Sequence, residues 1–172
     1  MNGWNNSSEV DGHKTVGLGV TVKPSGRLTW VGNYMGGQEA EGGGTRHIFD
    51  TTLTFAATPK LSLMGNFDYG RERDVSWWGL AAYAKVQVRP GWALVGRYEY
   101  LDDASGGFMT IGQRAQTMTL TSDHLIAGGL ELRLEYRGDF TDEPFFPDDR
   151  GARKDSQHAV LVGLVCAFGG RI

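Results

Sequence analysis

Residues 130–137 read Leu-Glu-Leu-Arg-Leu-Glu-Tyr-Arg. Leu130, Leu132, Leu134 and Tyr136 share one parity; Glu131, Arg133, Glu135 and Arg137 share the other. Successive side chains of a β-strand point to opposite faces, so a period of two makes one face apolar and the other a row of alternating charge. A helix would scatter the same charges around its circumference. The stretch therefore predicts an amphipathic strand.

The pattern continues in both directions. Upstream, Val16, Leu18, Val20 and Val22 alternate with Gly17, Gly19 and Thr21, and Leu28, Trp30, Gly32 and Tyr34 with Thr29, Val31 and Asn33. Further runs start at Ile48, Lys60, Trp78 and Trp92, and a weaker one covers residues 113–121. Downstream, residues 158–168 are apolar at both parities, with Val160, Val162, Leu164, Cys166 and Phe168 in one register. The reading predicts nine strands of about nine to eleven residues, the length of a transmembrane β-strand. Residues 28–34, 61–67 and 92–98 are near copies, with 130–136 a looser one, at offsets of 33, 31 and 38 residues. The repeating unit is then a hairpin.

Connections alternate in length. Short links at 23–26, 58–60 and 89–91 carry proline or glycine suited to tight turns. A slightly longer link covers 122–128, and long polar stretches cover 36–46, 70–76, 102–112 and 138–155. This describes an up-and-down antiparallel sheet with two different rims.

Composition narrows the class. Of 172 residues, 26 are glycine, about twice ordinary usage, and the net charge is −3. Cys166 is the single cysteine, which excludes a disulfide scaffold. No apolar run approaches the roughly 18 residues of a spanning helix. The charge balance lacks the basic face that nucleic acid requires. The first residues have no basic and apolar leader, so the chain reads as cytosolic or as beginning inside a longer protein.

What the polar face meets decides the class. In a soluble sandwich it meets water, whereas in an outer-membrane barrel it lines the lumen and the apolar face meets lipid. Strand length, alternating loop length and aromatic placement favour the barrel. Trp30, Tyr34, Trp78, Trp92, Tyr98, Tyr100, Tyr136 and Phe168 form the candidate aromatic girdle, and Trp77 falls beside them. Asp68, Lys85, Arg97, Glu99, Glu131, Arg133, Glu135 and Arg137 are the candidate pore-lining set. Their mixed signs predict weak ion selectivity. With the long loops outside, the last strand ends inside, on Phe168.

The ordered series Asn2-Gly-Trp4, the Leu-x-Leu-x-Gly-Asn-Phe type of strand, Trp77-Trp78-Gly79, Gly96-Arg-Tyr-Glu-Tyr100, Leu134-Glu-Tyr-Arg137, Asp142-Glu-Pro-Phe-Phe146 and Ser156-Gln-His158 resembles the C-terminal half of the putative β-barrel porin-2, OmpL-like family. The resemblance spans residues 2–168. It implies an all-β, up-and-down antiparallel transmembrane β-barrel, with residues 1–172 forming the C-terminal part of one barrel domain. It also implies a bacterial outer-membrane location and passive diffusion of small hydrophilic solutes. No enzymatic activity, cofactor or metal is implied. Membrane lipid and small hydrophilic solutes are the expected partners, with a homo-oligomer open. Nine is odd where bacterial single-chain barrels use even numbers, which fits a truncated copy. Two alternatives stay open: a small eight-stranded structural or adhesion barrel, and a soluble lipocalin-like binding barrel.

Other chemistry is weaker. Ser122-Asp123-His124 holds triad residue types, but members of a triad meet through the fold rather than in sequence. His13, His47, His124 and His158 lack zinc-ligand spacing. Asp102-Asp103 and Asp148-Asp149 could attract a divalent cation, but solvated loop carboxylates are the simpler reading. Gly42–Gly44 lacks the Lys-Ser/Thr of a phosphate loop. Cys166 reads as an apolar filler on the lipid stripe.

Overall fold

The computed structural model describes residues 12–38, 44–105 and 111–167. Within them the chain builds one nine-stranded antiparallel sheet in which each long strand pairs with its sequence neighbours. The strands are β1 (Val16–Ser25), β2 (Leu28–Gln38), β3 (Thr45–Thr58), β4 (Leu61–Glu72), β5 (Val75–Arg89), β6 (Trp92–Asp102), β7 (Arg114–Ala127), β8 (Leu130–Thr141) and β11 (Ser156–Cys166). Two short strands, β9 (Phe146–Pro147) and β10 (Arg153–Lys154), pair with each other before β11. The described sheet is open, with β1 and β11 at its edges.

The short rim repeats one construction. Each connection is two residues: Gly26-Arg27, Pro59-Lys60, Pro90-Gly91 and Gly128-Gly129. Pro90 presets φ and Gly91 supplies φ of 77°, the arrangement of a type II turn. A register shift sits beside every turn, at Val22/Ser25, Ala56/Thr58, Gln87/Arg89 and Leu125/Ala127. Each turn's second carbonyl then accepts the backbone N–H of the next hairpin: Arg27 from Ala56, Lys60 from Gln87, Gly91 from Leu125 and Gly129 from Ala167, all at 2.8 Å. The turns are thereby stitched into a continuous rim.

Several boundaries differ from the sequence expectation. Strands run from 10 to 15 residues. Residues 122–127 belong to β7, so the link there is only Gly128-Gly129. Residues 70–76 are a hairpin closed by Arg73-Asp74 rather than a long loop, with Arg73 at φ 53°. A non-glycine residue there is uncommon, so no turn signal marked it. Trp77 lies on the opposite face from Trp78, as adjacent strand residues must, and is only 5% exposed.

Burial is inverted relative to a soluble protein. The non-glycine strand residues that are buried are Trp77, Ala81, Ala93, Thr119, Thr121, Asp123 and Asp139, all at the charged parity. Leu53, Leu63, Leu80, Leu120, Leu134 and their neighbours at the other parity are exposed. The polar face is therefore the sheltered side, and the apolar face is turned to the surroundings.

Candidate functional site: the polar wall

Cross-strand register places every pore-lining candidate on the sheltered face. Asp68 stands opposite Asp50 and Gly79; Lys85 opposite Ser62 and Val95. Arg97 faces Tyr83 and Thr119, and Glu99 faces Ala81 and Thr117. On β8, Glu131, Arg133, Glu135 and Arg137 face Leu125, Asp123, Thr121 and Thr119. Seven of the eight fall into two clusters, with Lys85 of β5 between them.

On β6–β8 the charges are mutually paired. Arg133 Nε lies 2.8 Å from Asp123 Oδ1, and its Nη2 lies 3.0 Å from Glu131 Oε1. Arg137 Nε lies 2.8 Å from Asp139 Oδ1. Arg97 Nε lies 3.0 Å from Glu99 Oε2, but that N–H is buried and not aligned on an acceptor, so the pair is electrostatic. Threonines of β7 complete the wall: Thr119 Oγ1 accepts from Arg97 Nη2 at 3.2 Å, and Thr121 Oγ1 donates to Glu135 Oε2 at 2.9 Å.

On β2–β4 the wall is built from amides and carboxylates. Asp50 Oδ1 accepts from Asn33 Nδ2 at 2.6 Å, and its Oδ2 accepts from Asn66 Nδ2 at 2.7 Å. Three strands thus converge on one carboxylate, with Asp68 directly across. Nearer the loop rim, Arg46 donates to Glu72 Oε2 at 2.8 Å through Nε and 2.6 Å through Nη2. Sequence reasoning missed Asn33, Asp50, Asn66, Asp123 and Asp139. The recurrent Gly-Asn-aromatic triplet was the visible signal for the two asparagines, and the 117, 119, 121 threonine alternation marked the wall of β7.

The outer face carries the aromatic girdle candidates that fall within the described residues. Tyr34, Phe49, Tyr69 and Trp78 form one unbroken row across β2–β5. Trp78 and Tyr100 follow with ring centroids 5.0 Å apart. Tyr98 Oη donates to Gln116 Oε1 at 3.0 Å, and Tyr136 Oη lies 2.9 Å from His158 Nδ1. At the short rim, Trp30 Nε1 donates to Thr51 Oγ1 at 2.7 Å, and Trp92 Nε1 to Ser122 Oγ at 3.0 Å. Rings with satisfied polar tips suit a membrane–water boundary. Phe168 lies outside the described residues.

The remaining sequence motifs find places in this frame. Ser122 and His124 lie under Trp92 on the outer face, whereas Asp123 projects to the other face and pairs with Arg133. The three do not converge. Asp102 accepts from Arg114 Nε at 3.1 Å, and Asp103 is fully buried where it accepts from Gly112 N. Asp148 Oδ1 accepts backbone N–H groups of Arg150 and Ala152 at 2.8 Å. Among the described residues, no group of three or more His, Cys, Asp or Glu side chains could hold a metal ion. Cys166 is exposed at the outer parity, opposite Leu130.

An antiparallel up-and-down sheet with an aromatic-banded apolar exterior and a charged, hydrogen-bonded interior is the wall of a porin-like outer-membrane β-barrel. The chain belongs to the Putative beta-barrel porin-2, OmpL-like family, whose model matches residues 1–168. In fold it is similar to the NanC porin in its rhombohedral crystal form, with TM-score 0.64, 12% identity, and coverage of 91% of this chain and 79% of that one. It is also similar to the anion-selective porin from Comamonas acidovorans, with TM-score 0.67, 17% identity, and coverage of 90% of this chain and 49% of that one. No curated relative matches the sequence.

Proposed function

We propose that this chain forms part of the wall of a bacterial outer-membrane porin through which small hydrophilic solutes diffuse passively, without chemical turnover. The inverted burial carries the reading: ion pairs and threonine hydroxyls shelter on one face while leucines and tyrosines face outward. A soluble lipocalin-like barrel would do the reverse and line its cavity with the apolar stripe. A complete eight-stranded barrel does not fit nine strands paired in one sheet.

Hydrocarbon tolerates no open sheet edge, so further strands complete the barrel. Both β1 and β11 run from the loop rim toward the short rim. Direct closure between them would be parallel, and an odd number of intervening strands restores antiparallel pairing throughout. Among the described residues, the cross-strand pairs of the sheltered face include five basic residues (Arg46, Lys85, Arg97, Arg133, Arg137) against eight acidic ones (Asp50, Asp68, Glu72, Glu99, Asp123, Glu131, Glu135, Asp139). Its own contribution to selectivity is a mild preference for cations.

Single-channel recording of the complete protein with Arg97→Glu and Arg133→Glu tests the assignment. The reversal potential in a salt gradient shifts toward cation selectivity. An unchanged reversal potential would remove these residues from the pore wall.

A further inference from the structure

The polar wall is not uniformly open at its loop rim. After β8 the chain folds back through the β9–β10 hairpin, which is closed internally by a 2.8 Å backbone bond from Phe145 N to Lys154 O and held at the rim by another of 2.8 Å from Thr141 N to Asp155 O. A third tie joins Glu143 N to Gln113 Oε1 at 2.6 Å. The hairpin brings Phe145 and Phe146 over the wall as an edge-to-face pair, centroids 5.5 Å apart. Between these rings and the strands lies a cavity of about 260 Å³ whose wall side includes Thr117, Arg137, Asp139 and Gln157.

The chemistry of this cavity selects a ligand class. Asp139 accepts from Arg137 Nε at 2.8 Å, from Thr117 Oγ1 at 2.7 Å and from Gln157 Nε2 at 2.9 Å. Its charge is compensated, and Glu99, which also lines the cavity, pairs with Arg97 at 3.0 Å, so a free anion or cation finds no uncompensated counter-charge there. What the wall offers is a dense alternation of donors and acceptors, and what the hairpin offers is an aromatic face. A solute whose groups both donate and accept, and which also presents a flat C–H surface, matches both sides. The volume lies at the small end of ligand pockets, on the order of 300 Å³, which suits one ring.

We propose that this mouth pocket is a binding site for a neutral monosaccharide, held with its hydroxyl edge on Asp139, Arg137 and Gln157 and its C–H face on Phe145 and Phe146. The inference deepens the channel reading and rests on it. It makes the β9–β10 hairpin a specificity element placed before the paired charges of β6–β8.

The test is ion current through the complete protein in planar bilayers, titrated with glucose, galactose and mannose, with triethylene glycol as a volume-matched control. A saturable drop in current with at least one hexose, absent with the glycol, is expected. F145A/F146A is expected to weaken that block about tenfold, read as the hexose concentration for half-block relative to each channel's own sugar-free current. Saturation-transfer NMR of the hexose on detergent-solubilised wild-type protein supplies a readout that does not depend on insertion of the variant. Channels that conduct normally but show no saturable hexose effect overturn the sugar site and leave the porin reading standing. Equal block by the glycol, or block unchanged by F145A/F146A, overturns it as well. Absence of any channel overturns both.

Discussion

Gly70 and Gly96 look alike in the sequence, each a glycine inside an amphipathic strand, yet the structure gives them opposite sensitivities. A methyl group added at Gly70 would overlap the indole of Trp77, meeting Nε1 at 2.6 Å and Cε2 and Cζ2 more closely still. Trp77 is only 5% exposed, so its ring is already fitted against the wall and has little room to retreat. At Gly96 the same methyl meets nothing within 4 Å. Overpacking of this kind costs about 1–3 kcal/mol. The ceiling is complete displacement of the indole: about 200 Å² of burial at about 25 cal/mol per Å², or about 5 kcal/mol. Against this stands the backbone advantage of alanine over glycine in a strand, at most about 1 kcal/mol. Gly70→Ala is therefore expected to destabilise by about 1–2 kcal/mol, and Gly96→Ala to be neutral or stabilising by up to about 1 kcal/mol. Urea unfolding in vesicles or micelles, followed by tryptophan emission, measures both. Gly70→Ala should also red-shift the folded-state emission, and the shift should vanish when Trp77→Phe is added. Equal unfolding free energies for the two substitutions would refute the overlap with Trp77 as the source of the cost, since an added methyl meets the ring at Gly70 and nothing within 4 Å at Gly96.

Two further predictions follow from local geometry. Gly129 has φ of 86°, and its added Cβ would lie 2.6 Å from the carbonyl oxygen of Ala167, whereas Gly128 meets nothing within 4 Å. Gly129→Ala should cost about 1–2 kcal/mol for the left-handed backbone alone and speed amide exchange along β11, and Gly128→Ala should do neither. Removing the carboxylate of Asp139, which is 7% exposed, strands the donors of Thr117, Arg137 and Gln157. Asp139→Ala is expected to lower unfolding stability by about 2–3 kcal/mol, and Asp139→Asn, which keeps one acceptor oxygen, by less; equal losses would show that the hydrogen bonds do not set the cost.

The residues that could be placed in advance are those whose position depends on parity alone. Leu130 to Arg137 assign themselves to two faces without reference to any other strand, and the same holds for Arg97 and Glu99. Trp77 was separable on the same rule. Counting it with the girdle followed its aromatic character rather than its parity, and the structure returns it to the wall. Ser122, Asp123 and His124 resemble a loop because three polar residues in succession carry no apolar alternation. They are a strand because they find partners on both neighbours: Asp123 meets Arg133 of β8, while Ser122 receives the indole N–H of Trp92 of β6 and His124 stacks on the same ring. The Arg73-Asp74 turn was hidden for a related reason. At the turn itself Arg73-Asp74 lacks the glycine or asparagine that a left-handed turn position favours, and the pairing of Glu72 with Val75 forces the reversal.

By itself the sequence determined which side chains share a face, how many long strands the described segment forms, and that neighbours along the chain are neighbours in the sheet. Alternation is a property of a single strand, and two-residue links leave a strand no partner but the next one. Only the tertiary structure decided which polar groups meet: that Asn33 and Asn66 converge on Asp50, that Arg133 takes Asp123, and that Phe145 and Phe146 come to lie over Asp139. These contacts depend on the cross-strand register, which the bulges beside the four short turns set, and on the fold-back of the β9–β10 hairpin. Neither is written in the period of any one strand. The face of a residue is local, whereas its partner is fixed by where another strand begins.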